Sequence, residues 1–244
     1  MKKTLVLFFS MQLFSTIAYG QKVNEVLQKM NERFIAPKPL RFDTKYILYK
    51  DHKTKSVQQS YTGLFVKNNQ NEVYLKIDKT EFINTKKVSL KINHGEKAML
   101  ISNKVEFSTG TFDVNKLIAY CTISSFKDYK TYWEIILTPK EYSGLNYTQI
   151  VLNIGKNYLL QKQVFFYNTG FNFSKDYRKQ ALDYPRLEIM YSGYNKKVTE
   201  LSKINTNVFF TISQTNKVQA TDKYKNYEVA DKRTHLKNKS KATN

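Results

Sequence analysis

The stretch that decides the fold is RFDTKYILYKDHKTKSVQQSYTGLFVKNNQNEVYLKIDKTEFINTKKVSLKINHGEKAMLIS, Arg41 to Ser102. Phe42, Thr44, Tyr46 and Leu48 alternate with Arg41, Asp43 and Lys45. Val73, Leu75 and Ile77 alternate with Tyr74 and Lys76, and Val88, Leu90 and Ile92 with Ser89 and Lys91. Successive side chains on a strand point to opposite faces, so a period of two buries one face and wets the other. A strand buried on both faces of a parallel sheet would read as a continuous apolar run instead. Turn residues punctuate the stretch at Asp51 to Lys55, Asn68 to Asn71 and Asn93 to Glu96. The pattern predicts six short antiparallel strands in a meander.

Upstream, Val23, Val26, Leu27, Met30 and Phe34 form one apolar stripe at helical spacing, ended by Pro37 and Pro39. A helix with one apolar side beside a sheet with one apolar side is expected to pack on it. Downstream, Ser108 to Thr111 reads as a turn. Asp113 then caps a short helix carrying Val114, Leu117, Ile118 and Cys121 on one face, either a lid or a plug. The sheet is expected to resume at Tyr132, with Trp133, Ile135 and Leu137 alternating until Pro139. Ile150, Leu152 and Ile154 come next, then Tyr158 to Tyr167, Leu187 to Tyr191, and a last strand on Val208, Phe210 and Ile212. Thr169 to Pro185 is a long irregular connection rich in Phe and Tyr, of the kind that forms binding loops. The fold class expected is α+β: a strongly curved antiparallel sheet, an unclosed β-barrel, packed on an N-terminal helix and a short central helix.

Residues 1–20 have the form of a signal peptide: Lys2 and Lys3, an apolar run from Leu5 to Phe14, and Ala18-Tyr19-Gly20 at the cleavage point. The apolar run is too short to span a bilayer. The mature chain is therefore expected to begin near Gln21, without a transmembrane segment, and to be periplasmic or secreted. The folded domain is expected over residues 21–213, followed by a polar basic tail, partly disordered, from 214 to 244. Cys121 is the only cysteine of the 244 residues, which excludes an internal disulfide and fits a buried, inert thiol.

The formal charge is +20, almost all of it from lysine; Arg33, Arg41, Arg178, Arg186 and Arg233 are the five arginines. Recognition of bases and phosphates favours the arginine fork, and an exported chain rarely meets nucleic acid, so no nucleic-acid partner is expected. A basic surface still suits anionic membranes or acidic glycans. His52, His94 and His235 lie far apart, and there is no H-x-x-x-H, C-x-x-C, G-x-S-x-G or glycine-rich phosphate loop. No cofactor, metal site or catalytic constellation is expected, and the chain reads as non-enzymatic.

The order of helix, six-strand meander, helical interruption and second meander resembles the LolA/LolB family of periplasmic lipoprotein carriers. The likeness is sharpest at Gln58-Gln59-Ser60-Tyr61-Thr62-Gly63-Leu64-Phe65-Val66-Lys67, similar to the family's second strand. There a glycine, where the strand bends round a cavity, is followed by an apolar-aromatic pair and a basic residue. In the lipoprotein carrier that basic residue belongs to a Lys-Arg-Pro run whose Arg governs ligand transfer. Here Lys67-Asn68-Asn69 keeps the charge and lacks the Arg-Pro. The resemblance implies an apolar hollow for a lipid or acylated ligand, lined by Tyr46, Leu48, Phe65, Leu75, Ile77, Leu90, Ile92, Trp133, Ile135 and Leu152. Two other readings compete with it. In one, a filled groove makes the chain a cell-envelope scaffold that binds a protein or acidic glycan through a basic, Tyr-rich surface. In the other, two facing carboxylates make a hydrolase.

Overall fold

The computed structural model describes residues 20–104, 114–174, 176, 178, 182–195 and 198–234. The expected signal peptide, the 108–111 turn, the Asp113 cap and the end of the tail lie outside them. The described chain forms two compact units. Of the described residues, one takes in 20–36, 43–62 and those from 114 to 194; the other takes in 37–42, 63–104 and those from 195 to 234.

In the first unit, residues 20–35 are helical (α1). Val23, Val26, Leu27, Met30 and Phe34 are all buried, as their spacing predicts. The polar side carries a Glu25–Lys29 ion pair one turn apart. The unit's strands are β1 (Leu40–Tyr49) from Asp43 onward, β7 (Cys121–Asp128), β8 (Tyr132–Pro139), β9 (Tyr147–Gly155), β10 (Leu160–Tyr167) and β11 (Arg186–Ser192). They are hydrogen-bonded in the order β1-β11-β10-β9-β8-β7, each pair antiparallel. β7 has a neighbour on one side only, so the sheet is not closed there.

β7 was not foreseen, because its period is broken. A β-bulge between Ile123 and Ser125 inserts one residue, which puts Ile123 opposite Leu137 and Phe126 opposite Ile135, three positions apart instead of two. The central helix α2 (Val114–Tyr120) is correspondingly shorter than expected. Leu117 is buried and Ile118 exposed, and Cys121 opens β7 rather than closing the helix. Its thiol is buried, and that burial raises its pKa.

β1 turns into β2 (Val57–Lys67) through Asp51, whose carboxylate accepts the Lys53 and Thr54 amides at 2.8 Å. Arg186 holds this turn. Its guanidinium lies 4.2 Å from the Tyr49 ring centre, and it donates to the His52 carbonyl at 2.5 Å and to Glu188 at 3.0 Å. Arg186→Ala should cost about 1.5–3 kcal/mol, the worth of lost charged hydrogen bonds. Limited trypsin digestion should then cut faster after Lys53 or Lys55; an unchanged cleavage rate contradicts the clamp.

The second unit contains the rest of the meander: β3 (Val73–Ile77), β4 (Thr80–Asn84), β5 (Val88–Asn93) and β6 (Ala98–Asn103), each antiparallel to the one before it. All six strands expected between Arg41 and Ser102 are therefore present. The expected turns are built by Asn68 and Asn93, whose side chains accept the amides of Gln70, Glu72, Gly95 and Glu96. The architecture is α+β, with a large, mainly antiparallel, unclosed sheet.

Regular structure continues past residue 213. Beyond it come β13 (Val218–Ala220), a 3-10 turn at Asp222–Tyr224 and β14 (Glu228–Asp231), which joins the edge of β6 in parallel. β13 pairs with β12 (Phe210–Ile212). Val208, expected to open that last strand, sits in a 3-10 turn and is exposed, as is Ile212. Phe209 and Phe210 are both buried.

Candidate functional site

Antiparallel register decides which side chains share a face, and it groups the ten candidate lining residues in two ways. In the first unit, Tyr46, Ile189, Gln163, Leu152 and Ile135 are successive partners across β1, β11, β10, β9 and β8. Leu48, Leu187, Phe165, Ile150 and Leu137 make the next row. Trp133 pairs with Ile154, and Ile154 with Leu160. Tyr46, Leu48, Trp133, Ile135 and Leu152 therefore lie on one face, a broad apolar surface on which Ile135, Leu152 and Ile154 have no exposed area.

In the second unit the candidates separate. Phe65 pairs with Leu75, and Ile77 with Gly63, so these share a face, on which Phe65 also stacks on Phe42 at 4.6 Å. Leu90 pairs with Ile83, and Ile83 with Tyr74; Ile92 pairs with Met99. That is the opposite face. Leu90 and Ile92 are packed there with Val66, Tyr74, Ile101, Ile204, Phe209, Phe210 and Tyr224. They belong to a core filled by the chain's own C-terminal residues and cannot line the surface that holds Phe65, Leu75 and Ile77. Tyr74, expected on the wet side of β3, is buried for the same reason, and that burial raises its hydroxyl pKa. His94 fastens the segment by bridging Tyr227 at 2.9 Å and Glu81 at 3.0 Å.

Lys67, the strand-final cation, is buried on the Phe65 face, where desolvation lowers its pKa. On the first unit the reading from sequence missed Gln163, Thr44 and Tyr191, the polar members of the apolar face. Gln163 stands in phase with Phe165, a polar residue at a core position. That signal becomes legible only once the register is known. Its Oε1 accepts a 2.9 Å hydrogen bond from the Tyr191 hydroxyl, while the buried Nε2 has no partner. An unmatched buried amide costs about 1–3 kcal/mol.

One end of α1 is tied to its own unit by polar contacts. Lys22 pairs with Asp128 at 2.7 Å, Lys156 pairs with the other oxygen of the same carboxylate, and Lys29 reaches the Tyr158 hydroxyl at 3.5 Å. Lys156 also lies 4.2 Å from the Trp133 ring centre. Hydrogen bonds from Lys156 and Lys22 hold the Asp128 carboxyl at about 2, below its ordinary value of 3.8. A depressed folded-state pKa gives stability that is full above pH ~4 and is lost as pH falls towards ~2. Asp128→Asn should therefore flatten the fall in melting temperature across that window; parallel curves for the two proteins contradict the pairing.

On the outer side of this unit two carboxylates share a recess. Glu134 and Glu188 line one recess of about 270 Å³. β9 and β10 separate their strands, which sets the two backbones roughly 14 Å apart. Each is also ion-paired, Glu188 with Lys162 and Arg186, and Glu134 with Lys127. Among the described residues no group of three His, Cys, Asp or Glu side chains is placed to hold a metal. None of their helices is long and apolar enough to cross a membrane.

No family model matches the chain, and no curated protein does. Solved structures similar to it include an uncharacterized conserved protein from Thermus thermophilus, at 8% identity and a TM-score of 0.46 over 86% of this chain and 99% of that one. A putative outer membrane lipoprotein-sorting protein domain from Vibrio parahaemolyticus aligns at 14% identity and 0.36, over 75% and 96%. A LolA superfamily protein from Nitrosomonas europaea aligns at 13% and 0.25, over 70% and 91%. Each of these TM-scores is below 0.5, and the apolar face of the first unit is read on its own chemistry.

Proposed function

We propose that this is an exported, non-enzymatic carrier of the cell envelope that holds the acyl part of a lipid or lipid-modified ligand on the apolar face of its first unit. The observation that carries the reading is the pair of in-register rows across five strands, broad and apolar, together with the buried stripe of α1 in the same unit. In this reading α1 lies over the rows and the acyl chain lodges beneath it. The ties of Lys22 and Lys29 act as polar latches at the rim, exposed and weak enough to open. Burial contributes about 0.8 kcal/mol per CH₂, so a long acyl tail offsets the cost of displacing a helix that buries Val23, Val26, Leu27, Met30 and Phe34. Tyr46, Leu48, Trp133, Ile135 and Leu152 are the lining. Phe65, Leu75 and Ile77 remain candidate apolar contacts on the second unit taken by itself. The export pattern of residues 1–20 supports a periplasmic location.

Native mass spectrometry of the mature protein purified from a bacterial envelope tests the proposal. A co-bound mass removable by a fluorescent acyl probe is expected. A bare polypeptide mass, together with no binding of the probe, contradicts it.

A further inference from the structure

The proposed lining contains a polar spot whose chemistry narrows the ligand. Thr44 and Tyr191 are register partners on β1 and β11, and Tyr46 and Gln163 flank Ile189 in the adjoining row. Gln163 is 0% exposed, its Oε1 is taken by Tyr191, and both N–H groups of its Nε2 lack an acceptor. Buried amides are nearly always satisfied, so a donor left open on a face otherwise made for apolar groups points to an acceptor brought by a ligand. The two rows contain no Lys, Arg or His. A free carboxylate or phosphate would be buried there without a counter-charge, whereas a neutral carbonyl oxygen would be satisfied by a single N–H.

We propose that Gln163 Nε2 donates to the carbonyl oxygen of an ester- or amide-linked acyl chain, and so selects acylated molecules over free fatty acids and plain hydrocarbon. This rests on the carrier reading. Burial raises the pKa of the Tyr46 and Tyr191 hydroxyls, which therefore stay neutral beside the carbonyl.

Competition of methyl laurate, N-methyl lauramide, dodecyl methyl ether and laurate against a fluorescent acyl probe tests it. The wild-type protein should bind the ester or the amide roughly tenfold more tightly than the ether, which offers no carbonyl. The order of ester and amide tells which linkage is taken. Gln163→Leu and Gln163→Met should bring the carbonyl ligands down to the affinity of the ether and leave the ether unchanged. Equal binding of ester, amide and ether by the wild type, tighter binding of laurate than of the ester, or a uniform loss in both variants overturns the assignment while the carrier reading stands. Failure of all four ligands and of the probe to bind overturns the carrier reading itself. The wild-type comparison does not depend on either variant folding.

Discussion

Tyr224→Ala is expected to destabilise the second unit by about 3–5 kcal/mol, the range for removing a buried aromatic side chain. Tyr224 is buried 5.0 Å from the Phe209 ring centre and 5.1 Å from that of Tyr227, in a core shared with Leu90, Ile92 and Met99. Its loss removes those contacts and weakens the segment that brings β14 to the edge of β6. Amide exchange in β6 should accelerate, and the urea midpoint of this unit should fall. A change under about 0.5 kcal/mol, the size of an ordinary surface substitution, would show that the residues after 213 do behave as a tail.

The second large effect is expected in the first unit. Ile135→Ala and Leu152→Ala should each cost about 2–5 kcal/mol, because both side chains are fully buried and a cavity adds to the lost transfer energy. The two residues are register partners on β8 and β9, so their effects should not add. A double-mutant cycle should give a coupling of roughly 0.5 kcal/mol or more. Both variants should also weaken binding of an acyl probe, since the chain loses contact with the same face. Full loss of stability with unchanged probe affinity would place the ligand elsewhere.

What the sequence made legible was local. The stripe of α1, the six strands before Ser102 and the turn residues Asp51, Asn68 and Asn93 follow from spacing and side-chain chemistry within a few residues. The faces were harder. Alternation sets the phase inside one strand, but Leu90 and Leu75 look alike until the pairing of β3, β4 and β5 puts them on opposite sides. The Leu90 side is covered by residues of low local hydrophobicity, in which Tyr224 stands among charged neighbours and gives no periodic signal. β7 was hidden by its bulge, and Gln163 by a strand whose phase was not assigned. In each case the missing information was a long-range pairing, which no window along the chain contains.

An acyl chain lying against the apolar rows of the first unit is the central claim, and photocrosslinking locates that contact directly. A diazirine placed near the end of a fatty acyl ester, irradiated in complex with the mature protein and mapped by peptide mass spectrometry, should mark residues 133–137 and 150–154, with α1 as the other labelled element. Labelling confined to the exposed outer side of the strands, to the second unit or to the end of the chain would contradict it.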